Sequence, residues 1–137
     1  MSDRVFFDSN ILIYAYSIDE PKKRQLVINL LNQYGKIIIS TQTINEFIQV
    51  TTRKKMLSFQ DVDKIVSELY YFFIVEAISQ PIIHKAITLA RKHNYSYFDS
   101  LILASALASN CAILYSEDMH NQHLIESTLR IVNPFSN

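Results

Sequence analysis

Four acidic residues in this chain stand where apolar segments give way to polar ones, and this placement is the first sign of chemistry. Asp8 directly follows the apolar run Val5–Phe7, and Asp118 comes two residues after "AILYS". Glu46 lies in the early turns of one predicted helix, and Asp99 lies at the start of another. If these acids converge, they repel one another and their pKa values rise, and a divalent cation relieves that repulsion. An all-oxygen ligand set favours Mg²⁺ or Mn²⁺ over zinc.

Such a site is suited to the hydrolysis of phosphoryl or phosphodiester bonds. Mg²⁺ usually keeps several waters and accepts phosphate oxygens as ligands. A bound metal lowers the pKa of the attacking water and neutralises the charge that develops on the phosphate. A carboxylate near that water can also act as general base. The predicted chemistry is therefore metal-assisted hydrolysis of a phosphate ester.

Each acid also has a structural interpretation. Asp is a favoured helix cap, and "TINE" (Thr43–Glu46) and "SYFD" (Ser96–Asp99) both match the capping-box pattern, which is common. Asn10 either caps the first helix or braces the loop after the first strand. His120 and His123 lie three apart in the polar segment "EDMHNQH", which is typical of a solvated loop rather than a metal site. Only the joint placement of the four acids favours a functional interpretation.

The apolar pattern predicts the elements that position these acids. Short apolar runs predict strands at residues 4–7, "KIIIS", "FFIVEAI" and "CAILYS", with "LRIVNPF" as a further short one. Helical patterns lie between them and start near Pro21, Thr43, Phe59 and Gln80. The segment "FDSLILASALAS" is apolar or small on nearly all sides, which predicts a buried helix. Strands alternating with helices predict a three-layer α/β/α fold with a mostly parallel sheet.

This topology predicts that the four acids converge. In open parallel sheets, sites form outside the carboxyl ends of the strands, because the connecting loops meet there. Asp8 and Asp118 follow two such strand ends, and Glu46 belongs to the helix that leaves a third. Asp99 begins a helix expected to run antiparallel to "CAILYS", which brings its start to the same edge.

Composition limits the classes of protein that the chain can belong to. Its 137 residues, 49% hydrophobic and 19% charged, fit a single globular domain over residues 1–137. Lys+Arg and Asp+Glu number 13 each, so no overall positive field would hold nucleic acid. The basic clusters Lys22–Arg24 and Arg53–Lys55 are typical of solvated helix ends, with phosphate contact as the alternative.

Cysteine content and hydropathy predict the compartment. The single cysteine, Cys111, lies in an apolar segment and excludes an intramolecular disulfide. No basic-then-apolar leader opens the sequence, and no apolar run approaches the ~18 residues that a membrane span needs. We expect a cytoplasmic protein without a membrane partner.

Taken in order, the segments resemble the PIN-domain nucleases, specifically the VapC-type toxins of bacterial and archaeal toxin–antitoxin pairs. "VFFDSNILIYAYS" resembles the family's opening Asp motif, "STQTINEF" its helix-borne Glu and "SYFDSLILASAL" its third acid. "AILYSEDMH" and the closing "RIVNPF" resemble its fourth acid and its tail. The resemblance covers nearly the whole chain and depends on the ordered set rather than on one motif. It implies a PIN-like fold with a sheet of four or five strands, and a homodimer.

The resemblance also implies an activity and a set of site residues. It implies an endoribonuclease that depends on Mg²⁺ or Mn²⁺ and is silenced by a cognate antitoxin; RNA as substrate comes from the resemblance alone. The implied catalytic and metal-binding acids are Asp8, Glu46, Asp99 and Asp118. Ser116 would be the hydroxyl before the last acid, and Asn10 would support the first. Many relatives carry a Gly-containing loop after the last acidic pair, which "MHNQH" lacks, so Glu117 is a second candidate for the role of Asp118.

Two other hypotheses stay open. A Mg²⁺-dependent phosphatase or phosphorelay receiver also keeps acids at strand ends, but "DSN" lacks the second Asp two residues on, and no Lys ends "CAILYS". A catalytically silent PIN-like interaction module would retain the same acids as helix caps. An aspartyl-phosphate at Asp8 would indicate the first, and a failure to bind metal or cleave RNA would indicate the second.

Overall fold

The computed structural model describes residues 3–136 and confirms the alternation of strands and helices. Within these residues the strands are β1 (Val5–Phe7), β2 (Ile38–Ser40), β3 (Ile74–Glu76), β4 (Ile113–Tyr115), β5 (Leu124–Ile125) and β6 (Leu129–Val132). The helices are α1 (Ser9–Tyr14), α2 (Pro21–Gln33), α3 (Thr41–Arg53), α4 (Phe59–Phe72), α5 (Gln80–His93) and α6 (Tyr97–Ala108). Of the domain expected over residues 1–137, Met1, Ser2 and Asn137 lie outside the described residues.

The strands form a single sheet with the order β3-β2-β1-β4-β6-β5. Neighbouring strands are parallel throughout, except that β5 runs antiparallel to β6. The mostly parallel α/β fold is therefore confirmed, but the described chain has six strands rather than four or five. The additional strand, β5, contains two residues, which is too short for any alternation in the sequence to reveal. It exists because the chain turns back and pairs Leu124 with Arg130.

Alternating side chains of β1 assign the helices to two layers. Phe6 is fully buried in one cluster together with its lateral neighbours Ile38 and Leu114 and with residues of α5 and α6. Val5 and Phe7 point to the other face and pack in a second cluster with α1, α2, α3 and α4. Both faces of the sheet are thus covered, which explains why β1 is an unbroken apolar run. This is the predicted three-layer architecture.

Helix α6 is buried, as its composition predicts. Every residue from Ser100 to Ala106 is buried, so neither side of the helix faces water over this stretch. No helix within residues 3–136 is long and apolar enough to cross a membrane. Burial of α6 fixes the position of its first turn, which bears Asp99.

The order of the strands creates a crevice beside β1. From β1 the chain proceeds to β2 and β3 on one side, and then crosses over to β4 on the other side. Connections that leave β1 and β4 therefore diverge, and in open parallel sheets ligands bind at such a switch point. Phe7 pairs with Tyr115 at the ends of β1 and β4, so the residues that follow these two strands lie next to each other.

Candidate active site

The four acids expected from the sequence line a single cavity at the carboxyl edge of the sheet. This carboxylate cavity has a volume of about 680 Å³. Each acid comes from a different place in the fold: the end of β1, the middle of α3, the first turn of α6 and the loop after β4. In that order they are Asp8, Glu46, Asp99 and Asp118. The structure thus brings together all four residues by means of elements that are distant in sequence.

Asp8 is the buried member of the set. Asp8 is only 3% exposed. Its carboxylate accepts hydrogen bonds from the Ser9 N–H at 2.7 Å and from the Ser116 hydroxyl at 2.8 Å. Burial raises the pKa of Asp8 to about 7, and the charges of Glu46 and Asp99 contribute to the rise, although the hydrogen bonds oppose the change. Asp8 also occupies the N-cap position of α1, so its role as a helix cap is compatible with its place in the cavity.

Glu46 lines the cavity and is not a helix cap. The capping box of α3 is formed by Ser40 and Thr43, whose side chains exchange hydrogen bonds with each other's backbone N–H. The match of Thr43–Glu46 to a capping box is therefore wrong, since the helix begins directly after β2. The Glu46 carboxylate instead accepts from the Ser9 hydroxyl at 2.8 Å and from the Gln42 amide at 3.2 Å.

Asp99 reaches the cavity from the opposite layer of the fold. The Ser96 hydroxyl caps α6 by accepting from the Asp99 N–H at 3.1 Å. Partial burial raises the pKa of the Asp99 carboxyl and the charge of Asp118 adds to the rise, while the Ser96 hydroxyl lowers it. Asp99 is therefore both part of a helix start and an acid held near another acid.

Asn10 and Ser116 hold the carboxylates in place. The Asn10 amide nitrogen donates to Asp118 at 3.0 Å and to Asp8 at 3.4 Å, while its oxygen accepts from the Glu117 N–H at 3.2 Å. Because that N–H can only donate, it determines which end of the amide faces the carboxylates. Ser116 is fully buried. Its hydroxyl joins the loop after β4 to the Asp8 carboxylate, so both predicted supporting residues contact the acids.

Glu117 is the one predicted site residue that points elsewhere. Its carboxylate pairs with Lys23 at 2.6 Å and accepts from the Tyr14 hydroxyl at 2.6 Å. Burial alone would raise the pKa of Glu117, but the hydrogen bonds from Lys23 and Tyr14 outweigh it and hold that pKa below its ordinary value. The geometry therefore favours Asp118 over Glu117 as the fourth acid of the cavity.

The donor chemistry fits a hard divalent cation, although the carboxylates do not form a closed ligand shell. In the described part of the chain, no three His, Cys, Asp or Glu side chains converge closely enough to hold an ion. Nor do the ion pairs found within residues 3–136 involve any of the four acids, since they join Lys23 to Glu117 and Lys85 to Glu126. A buried carboxylate, facing other carboxylates without a cationic partner, is the electrostatic setting that Mg²⁺ or Mn²⁺ would stabilise.

His120 and His123 lie outside this cavity. The Tyr95 hydroxyl lies 2.8 Å from His123 Nδ1, and the rings of His93 and His120 pack nearby. Burial lowers the pKa of His123, and the charges of His93 and His120 lower it further. Within the described residues these rings form an aromatic cluster rather than a metal site, so His123 is packed instead of fully solvated.

Sequence reasoning missed two residues that contact the acids. Ser9 bridges Asp8 and Glu46 through its backbone and its hydroxyl, and Gln42 holds the second oxygen of Glu46. Ser9 lies between Asp8 and Asn10, so its position in "DSN" was the available signal. Gln42 carries no such signal, because only the observed start of α3 places it one turn before Glu46.

The model of the PIN domain family matches residues 5–123. The chain belongs to the PIN domain family. The matched segment contains all four acids of the carboxylate cavity. No curated protein matches the sequence closely enough to add a further assignment.

Solved structures share this PIN domain fold at low sequence identity. A chain of a toxin–antitoxin complex from Klebsiella pneumoniae is 21% identical, with a TM-score of 0.70, and the match covers 97% of this chain and 99% of that one. VapC20 of Mycobacterium tuberculosis, described as a sarcin–ricin-loop-cleaving toxin, is 14% identical, with a TM-score of 0.68 over 83% of this chain and 89% of that one. A chain of VapBC2 from Rickettsia felis, solved with a promoter DNA fragment, is 17% identical, with a TM-score of 0.67 over 94% and 98%. At these identities the likeness establishes the fold.

Proposed function

We propose that this PIN domain is a metal-dependent endoribonuclease and the toxin of a toxin–antitoxin pair. The observation that carries the proposal is the carboxylate cavity, where acids from four separate elements face one another without a cationic side chain. Family membership supports a nuclease, and the likeness to VapC20, whose description names cleavage of the sarcin–ricin loop, supports RNA as the substrate. Residues 1–137 would then act as one PIN domain.

In this proposal Asp8, Glu46, Asp99 and Asp118 hold Mg²⁺ or Mn²⁺. When bound, such an ion supplies a water of lowered pKa and neutralises charge on the phosphate. The chain's own contribution is to preorganise the carboxylates before the ion arrives. Ser116 and the Ser9 N–H orient Asp8, the Ser9 hydroxyl and Gln42 orient Glu46, and Asn10 orients Asp118. The supporting residues are thus part of the proposed site.

The proposal includes a protein partner and a second copy of the chain. The Klebsiella pneumoniae and Rickettsia felis structures contain toxin–antitoxin complexes, which supports a cognate antitoxin that silences the enzyme. Large apolar side chains that remain exposed, including Tyr71 and Phe72 at the end of α4 and Phe98 beside the cavity, are suited to protein contact. A homodimer follows from the resemblance to VapC toxins. An RNA-cleaving toxin acts where RNA is, so the proposed location is the cytoplasm.

Cleavage of RNA by the purified protein tests the proposal. A panel of structured and single-stranded RNAs would be incubated with Mg²⁺ or Mn²⁺ and, separately, with EDTA. We expect cleavage that requires the metal and that falls on the order of 100-fold in Asp99→Asn. Asp63→Asn, an exposed acid of α4 away from the cavity, is the matched control and should keep wild-type activity.

The outcome separates this proposal from its rivals. Asp99→Asn that keeps both wild-type metal affinity, measured by calorimetry, and wild-type cleavage would contradict the assignment of the acids. Wild-type protein that binds an antitoxin but neither metal nor RNA would be an interaction module. Metal binding without RNA cleavage, together with an aspartyl-phosphate on Asp8, would indicate a phosphatase.

A further inference from the structure

A second cavity, larger than the first, adjoins the carboxylate cavity. It has a volume of about 780 Å³, and Ser9, Asn10 and Asp118 belong to the walls of both. Volumes of this size are typical of ligand-binding clefts. Since the two cavities share a wall, a polymer that is cut in the carboxylate cavity can extend directly into the second cavity. We call the second one the basic cavity, after Arg53, Lys54 and Lys55, which line it.

The three basic residues of the basic cavity lie at the carboxyl end of α3. Arg53 is the last residue of α3 and Lys54 is its C-cap, while Lys55 has a φ of 57° in the left-handed region. Gly or Asn adopts that conformation at lower cost than Lys. The Lys54 N–H and Lys55 N–H close the helix on the carbonyls of Val50 and Thr52, which makes the turn well defined.

Four acids also line the basic cavity. Glu117 is already paired with Lys23, and Asp118 belongs to the shared wall with the carboxylates. Asp19 and Glu20 are the other acids among its lining residues. Outside the Lys23–Glu117 pair, three acids therefore lie among the same lining residues as the three cations. In the described chain none of the three cations forms an ion pair of its own.

Aromatic and apolar side chains complete the basic cavity. The half-buried rings of Tyr14 and Tyr16 line it together with Ile18, which is 86% exposed. Proteins that bind single-stranded nucleic acid combine cations that follow the phosphates with aromatic faces on which bases stack. Both kinds of group are present here, within one cavity and next to the acids.

We propose that the basic cavity binds single-stranded RNA beside the bond that is cut, with Arg53, Lys54 and Lys55 contacting its phosphates. This inference rests on the nuclease function proposed above and extends it to the path of the substrate. It replaces the interpretation of Arg53–Lys55 as a merely solvated helix end. Phosphate contact by these residues supplies affinity that the neutral net charge of the chain does not.

The test measures RNA binding separately from cleavage. A fluorescein-labelled single-stranded RNA of about 12 nucleotides is titrated in EDTA and followed by anisotropy at several salt concentrations. The test variant is R53Q/K54Q/K55Q. The control is K64Q/R91Q/K92Q, which removes the same number and kinds of exposed charge from α4 and α5, away from both cavities. Thermal melting followed by circular dichroism verifies that both variants fold.

We expect the affinity of the test variant for RNA to fall about tenfold or more, and the slope of log K against log[salt] to fall by roughly one for each phosphate that the variant no longer binds. The control should keep the wild-type slope. Wild-type protein that cleaves RNA while test and control variants bind alike would overturn the basic cavity and leave the nuclease function standing. RNA binding that disappears in the test variant, with no cleavage by wild type, would support the basic cavity and overturn the nuclease function. Wild-type protein that neither binds nor cleaves RNA would overturn both.

Discussion

Glu117 and the acids of the carboxylate cavity lie side by side at the carboxyl edge of the sheet, but the fold places them in opposite electrostatic surroundings. Glu117 is paired with Lys23, and its pKa lies below the ordinary value. Asp8 is buried beside Glu46 and Asp99 instead, and its pKa is raised to about 7. Folding usually matches a buried charge with an opposite one, because an unmatched charge is costly. The carboxylate cavity is therefore the electrostatic setting in which the proposed cation would bind, whereas the Lys23–Glu117 pair is a structural brace between α2 and the loop after β4.

The largest expected effect comes from comparing a Glu-to-Gln substitution at Glu46 with the same substitution at Glu117. Glu46→Gln removes an acid of the carboxylate cavity, and we expect kcat/KM for RNA to fall on the order of 100-fold. Glu117→Gln makes the same change in the Lys23–Glu117 pair. We expect it to lower kcat/KM only a few-fold, through a change in the placement of Asn10. Initial rates at saturating Mn²⁺ measure both. Equal losses in the two variants would remove the distinction between site and brace.

The second effect concerns the stability of the metal-free protein. The pKa of Asp8 is raised from 3.8 to about 7 in the folded state, so the folded state binds the extra proton. The stability associated with that proton is present below about pH 4 and is lost as the pH rises towards 7. Asp8→Asn removes the buried charge, and in EDTA at pH 8 it should raise the free energy of unfolding by about 1–3 kcal/mol.

Urea unfolding at pH 5 and pH 8 in EDTA measures this effect. The difference between Asp8→Asn and wild type should be larger at pH 8, where wild type carries the buried charge. Mg²⁺ should then stabilise wild type but not the variant. A variant that is less stable than wild type at pH 8 would show that Asp8 is a satisfied structural charge, like Glu117.

The third effect tests the Asn10 amide, which lies between the carboxylate cavity and Glu117. Asn10 contacts Asp118 and Asp8 on one side and the Glu117 N–H on the other. Asn10→Ala should weaken Mn²⁺ binding about tenfold, since residues that orient metal ligands typically contribute that much. Isothermal titration calorimetry provides the affinity. Asn29→Ala on the exposed face of α2 is the control, and an equal loss there would contradict the positioning role.

The smallest effect is expected at the brace itself. The Lys23 and Glu117 side chains are 31% and 24% exposed, so their attraction is partly screened by water. Lys23→Met should lower the free energy of unfolding by about 1 kcal/mol or less, and less still at high salt. Urea unfolding at low and high NaCl concentration measures it. A decrease well above about 2 kcal/mol would mean that losing one partner of this pair destabilises the protein as much as breaking a buried ion pair does.

Predictability from sequence differs among the four acids for a physical reason. Asp8 and Asp118 follow buried strands, and the carboxyl ends of parallel strands meet at one edge, so their proximity follows from the apolar pattern. Asp99 is similarly predictable from the buried helix that it begins. The roles of Glu46 and Asp99 were ambiguous, because a capping pattern ending at each of them fits the sequence equally well. The observed N-caps of α3 and α6 are Ser40 and Ser96, which leaves the Glu46 side chain free of a capping role and places Asp99 in the first turn of its helix.

The order of apolar and polar segments determined the three layers and the parallel sheet, together with the edge where the acids gather. These features depend on periodicity and on connections between neighbouring elements, which a sequence records directly. Tertiary structure alone decided that Asp118 faces the carboxylates while adjacent Glu117 turns to Lys23, 94 positions away. It also decided the burial of Asp8 and the pairing of β5. Those outcomes depend on contacts between distant residues, whose geometry no local pattern encodes.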